Sequence, residues 1–326
     1  MKRQIIWLTT ILLACCSSAE AQQPAKAVPR IGFIVSAGHP SSPRLDAFRL
    51  ELRDLGYVEG KSILIERRYA EGRLDRMPEL VDDLVQQKVD VIVAPNNVAI
   101  RAARKATKSI PIVIVSSIDP VEAGYVKSFT HPGGNMTGLS SINRDLSAKR
   151  VELLRDLLPK ISRVGVLWDA DGPGPVIAFR KYEAAAQAFK LEMRSLEVRG
   201  PKPDFQKAFE GAKAARVEAL IVVGNPLISQ HAKQVFDLAI KNRLVSMTEE
   251  GQLVDAGGVI SYGPNVADLY RRAATYVDKI LKGAKPAELP VAEPNKFELT
   301  INLKTAKKIG VTIPQNVLGR ADRVIR

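Results

Sequence analysis

From residue 30 onward, short β-branched runs alternate with amphipathic stretches, and this alternation is the strongest pattern in the chain. Continuous apolar runs at Ile31–Ser36, Ile63–Arg67, Val89–Ala94 and Ile112–Ser116 predict buried strands. Apolar positions spaced by three and four predict helices between them at 43–55, 75–87 and 97–107. A second series repeats the scheme, with strands at Arg163–Trp168, Leu191–Val198, Ala219–Val223 and Leu244–Met247 and helices at 176–189, 204–215 and 229–242. Strands that are apolar on both faces and alternate with helices predict an α/β chain of doubly wound parallel sheets.

The two series predict an amino-terminal lobe over 30–140 and a carboxy-terminal lobe over 141–263. Pro132-Gly133-Gly134-Asn135, Thr137-Gly138-Leu139-Ser140 and a long helix at 146–158 lie at the junction. The alternation then breaks. Gly257 to Gly263 reads as a glycine-bounded strand, 266–281 as a helix, Pro286 to Pro294 as a link, and Phe297–Leu303 as a strand before a short basic tail. A helix and a strand left over after two lobes imply that the chain crosses back. Part of 264–290 then completes the first lobe and part of 291–326 the second, with the crossings forming a hinge.

The first 21 residues follow a different rule. Lys2 and Arg3 precede an apolar run, Ile5 to Ala14, and a small-residue site, Ala19-Glu20-Ala21. That order predicts a secretory signal peptide over 1–21, followed by a flexible leader over 22–29. The run is far shorter than the about 20 residues a membrane span needs. The working chain is therefore expected to begin near Gln22, outside the cytoplasm. Both cysteines, Cys15 and Cys16, fall inside the signal, leaving no thiol for a disulfide, a metal or catalysis. Leu12-Leu13-Ala14-Cys15 offers an alternative, a lipid anchor at Cys15, but Leu13 is bulky where such sites favour a small residue.

Charge changes the picture little. The net charge is +13, but basic residues are interspersed with acids, as in Arg49-Leu50-Glu51-Leu52-Arg53-Asp54. Aromatics make up 6% of the chain, and none interleave with a basic stripe as a base-stacking platform requires. This is a solvated basic surface, with no nucleic acid implied.

In open parallel sheets, ligands bind beyond the carboxyl ends of the strands. The predicted strand ends carry Ser36, Asn96, Asn97, Ser117 and Asp119 in the first series and Trp168, Asp169, Asn225 and Glu249 in the second. These are the candidate ligand-binding residues: two walls of small or hydrogen-bonding side chains suited to a small polar ligand. Asn, Ser and Asp also cap helices, so each polar residue has a structural alternative. Trp168 either stacks on a planar ligand group or covers the end of the core.

No catalytic set accompanies them. His39, His131 and His231 lie far apart with no second ligand at metal spacing, and no G-x-S-x-G elbow occurs. Gly56 to Ser62 imitates a phosphate loop, but it has one residue too few and lies between a helix and a strand, the wrong order. No catalytic residue, metal site or cofactor is expected.

Several segments together are familiar: Arg30-Ile31-Gly32-Phe33, Leu55-Gly56-Tyr57-Val58-Glu59-Gly60, Val89-Asp90-Val91-Ile92-Val93, Asp119-Pro120-Val121, Pro132-Gly133-Gly134-Asn135, Thr137-Gly138-Leu139-Ser140, Ser261-Tyr262-Gly263-Pro264 and Lys296-Phe297-Glu298-Leu299. In this order they resemble the ABC-transporter substrate-binding proteins often labelled as tryptophan or tyrosine transport components. The resemblance implies a type I periplasmic-binding fold, a hinge of three crossings and a ligand trapped as the lobes close. It also implies a periplasmic, monomeric protein that delivers an amino-acid-like ligand to an ABC permease and, through it, a cytoplasmic ATPase. A sensor subunit reporting to a receptor is the alternative role; an exported α/β enzyme is a more distant one. One departure is local: many relatives carry a Gly-Thr-Pro-like turn where this chain has Pro95-Asn96-Asn97. Asn side chains there suit a ligand with both donors and acceptors.

Overall fold

The structure is a computed structural model that describes residues 28–35, 43–116, 119–140, 146–171 and 173–326. The signal, most of the leader and the candidates Ser36 and Ser117 lie outside the described residues.

The first half runs β1 (Arg30–Val35), α1 (Pro43–Asp54), β2 (Leu64–Tyr69), α2 (Met77–Gln86), β3 (Val91–Ala94), α3 (Asn97–Ala106), β4 (Ile112–Ser116) and β5 (Met136–Ser140). The second runs α4 (Leu146–Leu157), β6 (Arg163–Asp169), α5 (Pro173–Ala188), β7 (Glu192–Val198), α6 (Phe205–Ala214), β8 (Ala219–Val222), α7 (Pro226–Gln230), α8 (Ala232–Lys241), β9 (Val245–Thr248), α9 (Gly251–Asp255) and β10 (Ile260–Pro264). The rest comprises α10 (Val266–Leu281), β11 (Phe297–Asn302), α11 (Leu303–Lys308), α12 (Gln315–Leu318) and β12 (Arg323–Ile325).

Two sheets result. The first has the order β2-β1-β3-β4-β5 and is parallel throughout. The second has the order β12-β11-β10-β9-β8-β6-β7, parallel except where β10 meets β11. Side-chain alternation along apolar strands explains the double winding. In β1, Ile31, Phe33 and Val35 join the layer under α1 and α10, while Ile34 points into the layer under α2 and α3. The second sheet divides likewise: Val164, Val166 and Trp168 face α4 and α5, and Leu167 faces α6 and α8. A strand apolar at every position is what a two-faced burial demands.

β5 is a strand where a junction was expected, and the reason is Gly138. Its φ is +137°, and a Cβ there would lie 2.3 Å from the Ile114 carbonyl oxygen. The glycine lets the edge strand press against β4, and it also removes the β-branched signal by which a strand is recognised. The helix expected over 229–242 is two helices. Pro226 opens α7 with Asn225 as its cap, and His231 separates α7 from α8. The basic tail returns to the second sheet, where Arg323–Ile325 pairs with β11 as a short edge strand.

The chain passes between the lobes three times. After β5 it enters α4, whose Val151 and Leu154 lie in the second lobe's core. After β10 it returns as α10, whose Leu269, Tyr270, Ala273 and Val277 pack in the first lobe's core. It passes Val291 and Ala292, which hydrogen-bond Phe129 and Gly138 of the first lobe, and then enters β11. The crossings are tied together: Ser140 N donates to Ala292 O, and Asn265 N donates to Lys296 O, at 2.9 Å each.

Candidate functional site

The candidate site residues lie at the carboxyl ends of β3, β4, β6, β8 and β9. On the first lobe's side, Asn96 caps α3: its Oδ1 accepts from the backbone N–H of Val98 at 2.9 Å and of Ala99 at 3.0 Å. Asn97 Oδ1 accepts from the Ser116 hydroxyl at 3.1 Å, joining the ends of β3 and β4. Asp119 Oδ1 accepts from the N–H of Val121 at 2.8 Å and of Glu122 at 3.2 Å, which fixes the turn beyond β4. The structure thus gathers Asn96, Asn97 and Asp119 on one wall, with Asn96 and Asp119 each committing an oxygen to the backbone.

On the opposite wall, Asn225 Oδ1 caps α7 through Ile228 N, and its Nδ2 donates to Asp169 Oδ2 at 2.7 Å. Asp169 also accepts from Asp171 N at 3.1 Å. These two side chains form one hydrogen-bonded unit across the ends of β6 and β8. Trp168 does not join them. Alternation turns it inward, where it is 8% exposed. Its ring stacks on Phe179 at 4.5 Å, and its N–H donates to Ser195 Oγ at 2.8 Å. An indole covered by a neighbouring ring and satisfied at its nitrogen fits the second of the two expectations for Trp168, that it covers the end of the core.

Glu249 is the most tightly held polar group of the wall. Its Oε1 accepts from the Tyr182 hydroxyl at 2.8 Å and from Arg150 Nη1 at 3.0 Å. Its Oε2 accepts from Gly224 N at 3.2 Å. Arg150 is 2% exposed and also donates through Nε to Tyr262 O at 2.6 Å, beside the second crossing. Burial pushes the Tyr182 phenol well above its ordinary range, with Arg150 opposing and Glu249 reinforcing, so the hydroxyl stays a proton donor. The result is a carboxylate fixed in orientation and 20% exposed at its side chain. Glu249 was an expected site residue; Arg150 and Tyr182 were not. A signal for Arg150 existed, because it shares the buried stripe Ser147, Arg150, Val151, Leu154 and Leu157 of α4. A charge on an apolar stripe needs a buried partner.

The lobes touch beyond the crossings. Arg44 of α1 donates through Nη2 to Glu250 Oε2 at 2.8 Å. A Cβ on Gly72, after β2, would lie 3.1 Å from Gln230 Nε2 at the end of α7. Among the described residues, no group of three or more His, Cys, Asp or Glu is placed to hold a metal ion.

Two α/β lobes built on largely parallel sheets and joined by three crossings define a type I periplasmic-binding architecture. A leucine binding protein from Thermotoga maritima shares that fold, at 15% identity and a TM-score of 0.54 over 80% of this chain and 78% of that one. The chain belongs to the ABC transporter substrate binding protein family, whose model matches residues 30–325. A tyrosine-binding protein of Clostridioides difficile (strain R20291) is 26% identical over 90% of this chain and 84% of its own length. The structure of an ABC domain in complex with L-Trp from Streptococcus pneumonia matches with a TM-score of 0.81 and 26% identity, over 91% of this chain and 99% of that one. The chain is thus a substrate-binding component of the ABC-transporter type.

Proposed function

We propose that this protein is the exported, soluble receptor of an importer. It captures one small amino-acid-like molecule between its lobes and delivers it to a membrane permease driven by a cytoplasmic ATPase. It acts as a monomer in the periplasm and breaks no bond in its ligand. The charged start and A-x-A site of residues 1–21 support export. No helix among the described residues is long and apolar enough to cross a membrane.

The observation that supports the reading is that both lobes carry polar side chains at their strand ends and meet there through Arg44 and Glu250. Asn97 and Asp119 would supply one wall and Asp169, Asn225 and Glu249 the other. Asp119, Asp169 and Glu249 offer carboxylates to a ligand ammonium, and the Asn side chains offer both donors and acceptors. Relatives described as binding tyrosine and L-Trp support a ligand with an amino-acid head and an aromatic body. Ligand gains most when both walls touch it, so it draws the protein toward the closed form.

A thermal-shift panel tests this, with L-tyrosine, L-tryptophan and tyramine, which lacks the carboxylate. A true ligand at 100 times its dissociation constant stabilises the protein by about 2.7 kcal/mol. An aromatic amino acid is expected to shift the transition and tyramine to shift it less. A panel in which none shifts the transition would refute the ligand class.

A further inference from the structure

Two successive glutamates after β9 are treated differently by the fold. Glu249 is bound within its own lobe, by Arg150, Tyr182 and Gly224 N. Glu250 reaches to the other lobe and pairs with Arg44 Nη2 at 2.8 Å. Arg44 stands in the first turn of α1 and interacts with Tyr270, a 1% exposed residue on the buried face of α10. The Tyr270 hydroxyl in turn points to the Pro95 carbonyl at 3.5 Å, at the turn that carries Asn96 and Asn97. The pair is thus footed on rigid structure at both ends. Thr248 Oγ1 donates to Glu250 O at 3.1 Å and steadies the second foot. The pair is about two-thirds withdrawn from water on each side, and Arg44 Nε is buried with no partner. A guanidinium held with a buried, unmatched N–H is costly to place unless the contact it makes has a use.

We propose that Arg44 and Glu250 form an inter-lobe clasp that sets the closed fraction of the protein independently of ligand. They act as positioning residues. By fixing the population of the form that grips ligand, the clasp scales the affinity for every ligand by one factor, leaving discrimination between ligands to the walls. Only this consequence rests on the binding role proposed above; the clasp itself is measured without ligand.

The experiment reads the distance between the lobes. Outside Cys15 and Cys16 the chain has no cysteine. With those two changed to serine, nitroxides at Glu79→Cys on α2 and Lys233→Cys on α8 report across the Gly72–Gln230 contact. These sites are 74% and 85% exposed. Pulsed dipolar spectroscopy of ligand-free protein is expected to show a short distance as a minor population beside a longer one, which ligand then converts to the short one. Arg44→Gln and Glu250→Gln should each lower the closed-to-open ratio about fivefold, as suits a partly exposed pair. Because each variant alone abolishes the pair, the double variant should match the singles rather than multiply them. Glu250→Gln keeps the side chain's shape, guarding against a fold defect in the arginine variant. A parent chain with no short-distance population, a ratio unmoved by either single change, or additive effects in the double variant would each overturn the proposal.

Discussion

Arg150→Met tests whether the charge buried behind the second wall is held as described. Arg150 is 2% exposed and donates to Glu249, Tyr182 and the Tyr262 carbonyl. Methionine fills much of the volume but leaves Glu249 with only the Tyr182 hydroxyl and Gly224 N. Removing one partner of a buried ion pair costs about 3–5 kcal/mol. Water reaches part of Glu249, so about 2–4 kcal/mol is expected here. The assay is urea unfolding followed by the fluorescence of Trp168, which sits in the same lobe's core and is the sole tryptophan after Trp7. At about 1–3 kcal/mol per molar urea, the midpoint should fall by about 1 M or more. Adding Glu249→Gln removes the stranded charge while keeping a side chain that Tyr182 can bond, and should recover at least half of the loss. A single variant costing less than about 1 kcal/mol would refute this account of the cluster. So would a double variant that is worse than the single one.

Three further outcomes follow from local geometry. Gly138→Ala forces a side chain into the Ile114 carbonyl at a positive φ and should destabilise the first lobe by about 2–4 kcal/mol in chemical unfolding. Asn225→Ala removes the cap of α7 and the donor to Asp169, and should cost about 1–2 kcal/mol by the same measurement. Glu218 is penalised by burial, yet the N–H groups of Ser162 and Arg163 and the Arg163 guanidinium outweigh that and hold its pKa below the ordinary range. A depressed carboxyl stabilises the fold above its unfolded pKa, about 4.3, and loses that contribution as pH falls through the folded value. Glu218→Gln should therefore lower the melting temperature at pH 7, and the gap should close as the pH is brought below about 4.

Much of this architecture is legible because the strands are short, apolar and regularly spaced. β4 occupies Ile112–Ser116 as the pattern predicts, and α10 begins at Val266 where its amphipathic face begins. Legibility fails where one residue carries a tertiary role. Gly138 hides β5, because its contact with the Ile114 backbone cannot be read from its neighbours along the chain. β12 is too short to show a period, and it exists because β11 offers it an edge.

The site divides the same way. That polar groups gather at strand ends follows from topology, which places Asn96, Asn97, Asp119, Asp169, Asn225 and Glu249 there. Which of them are already engaged depends on atoms, as the Asn225–Asp169 bond and the capping role of Asn96 show. Trp168 shares the face of β6 taken by Val164 and Val166, so alternation along the strand turns the indole toward the core. Arg150 stands on the apolar stripe of α4, which signals a buried partner, but that the partners are Glu249 just after β9 and the Tyr262 carbonyl on β10 depends on the tertiary fold.

The most direct test of the account is a crystal structure of the complex with whichever of L-tyrosine or L-tryptophan shifts the melting transition. The account predicts one intact ligand between the lobes, touching Asn97 or Asp119 on one side and Asp169, Asn225 or Glu249 on the other, with Trp168 still stacked on Phe179. Ligand bound away from those strand ends, or chemically altered within them, would contradict it.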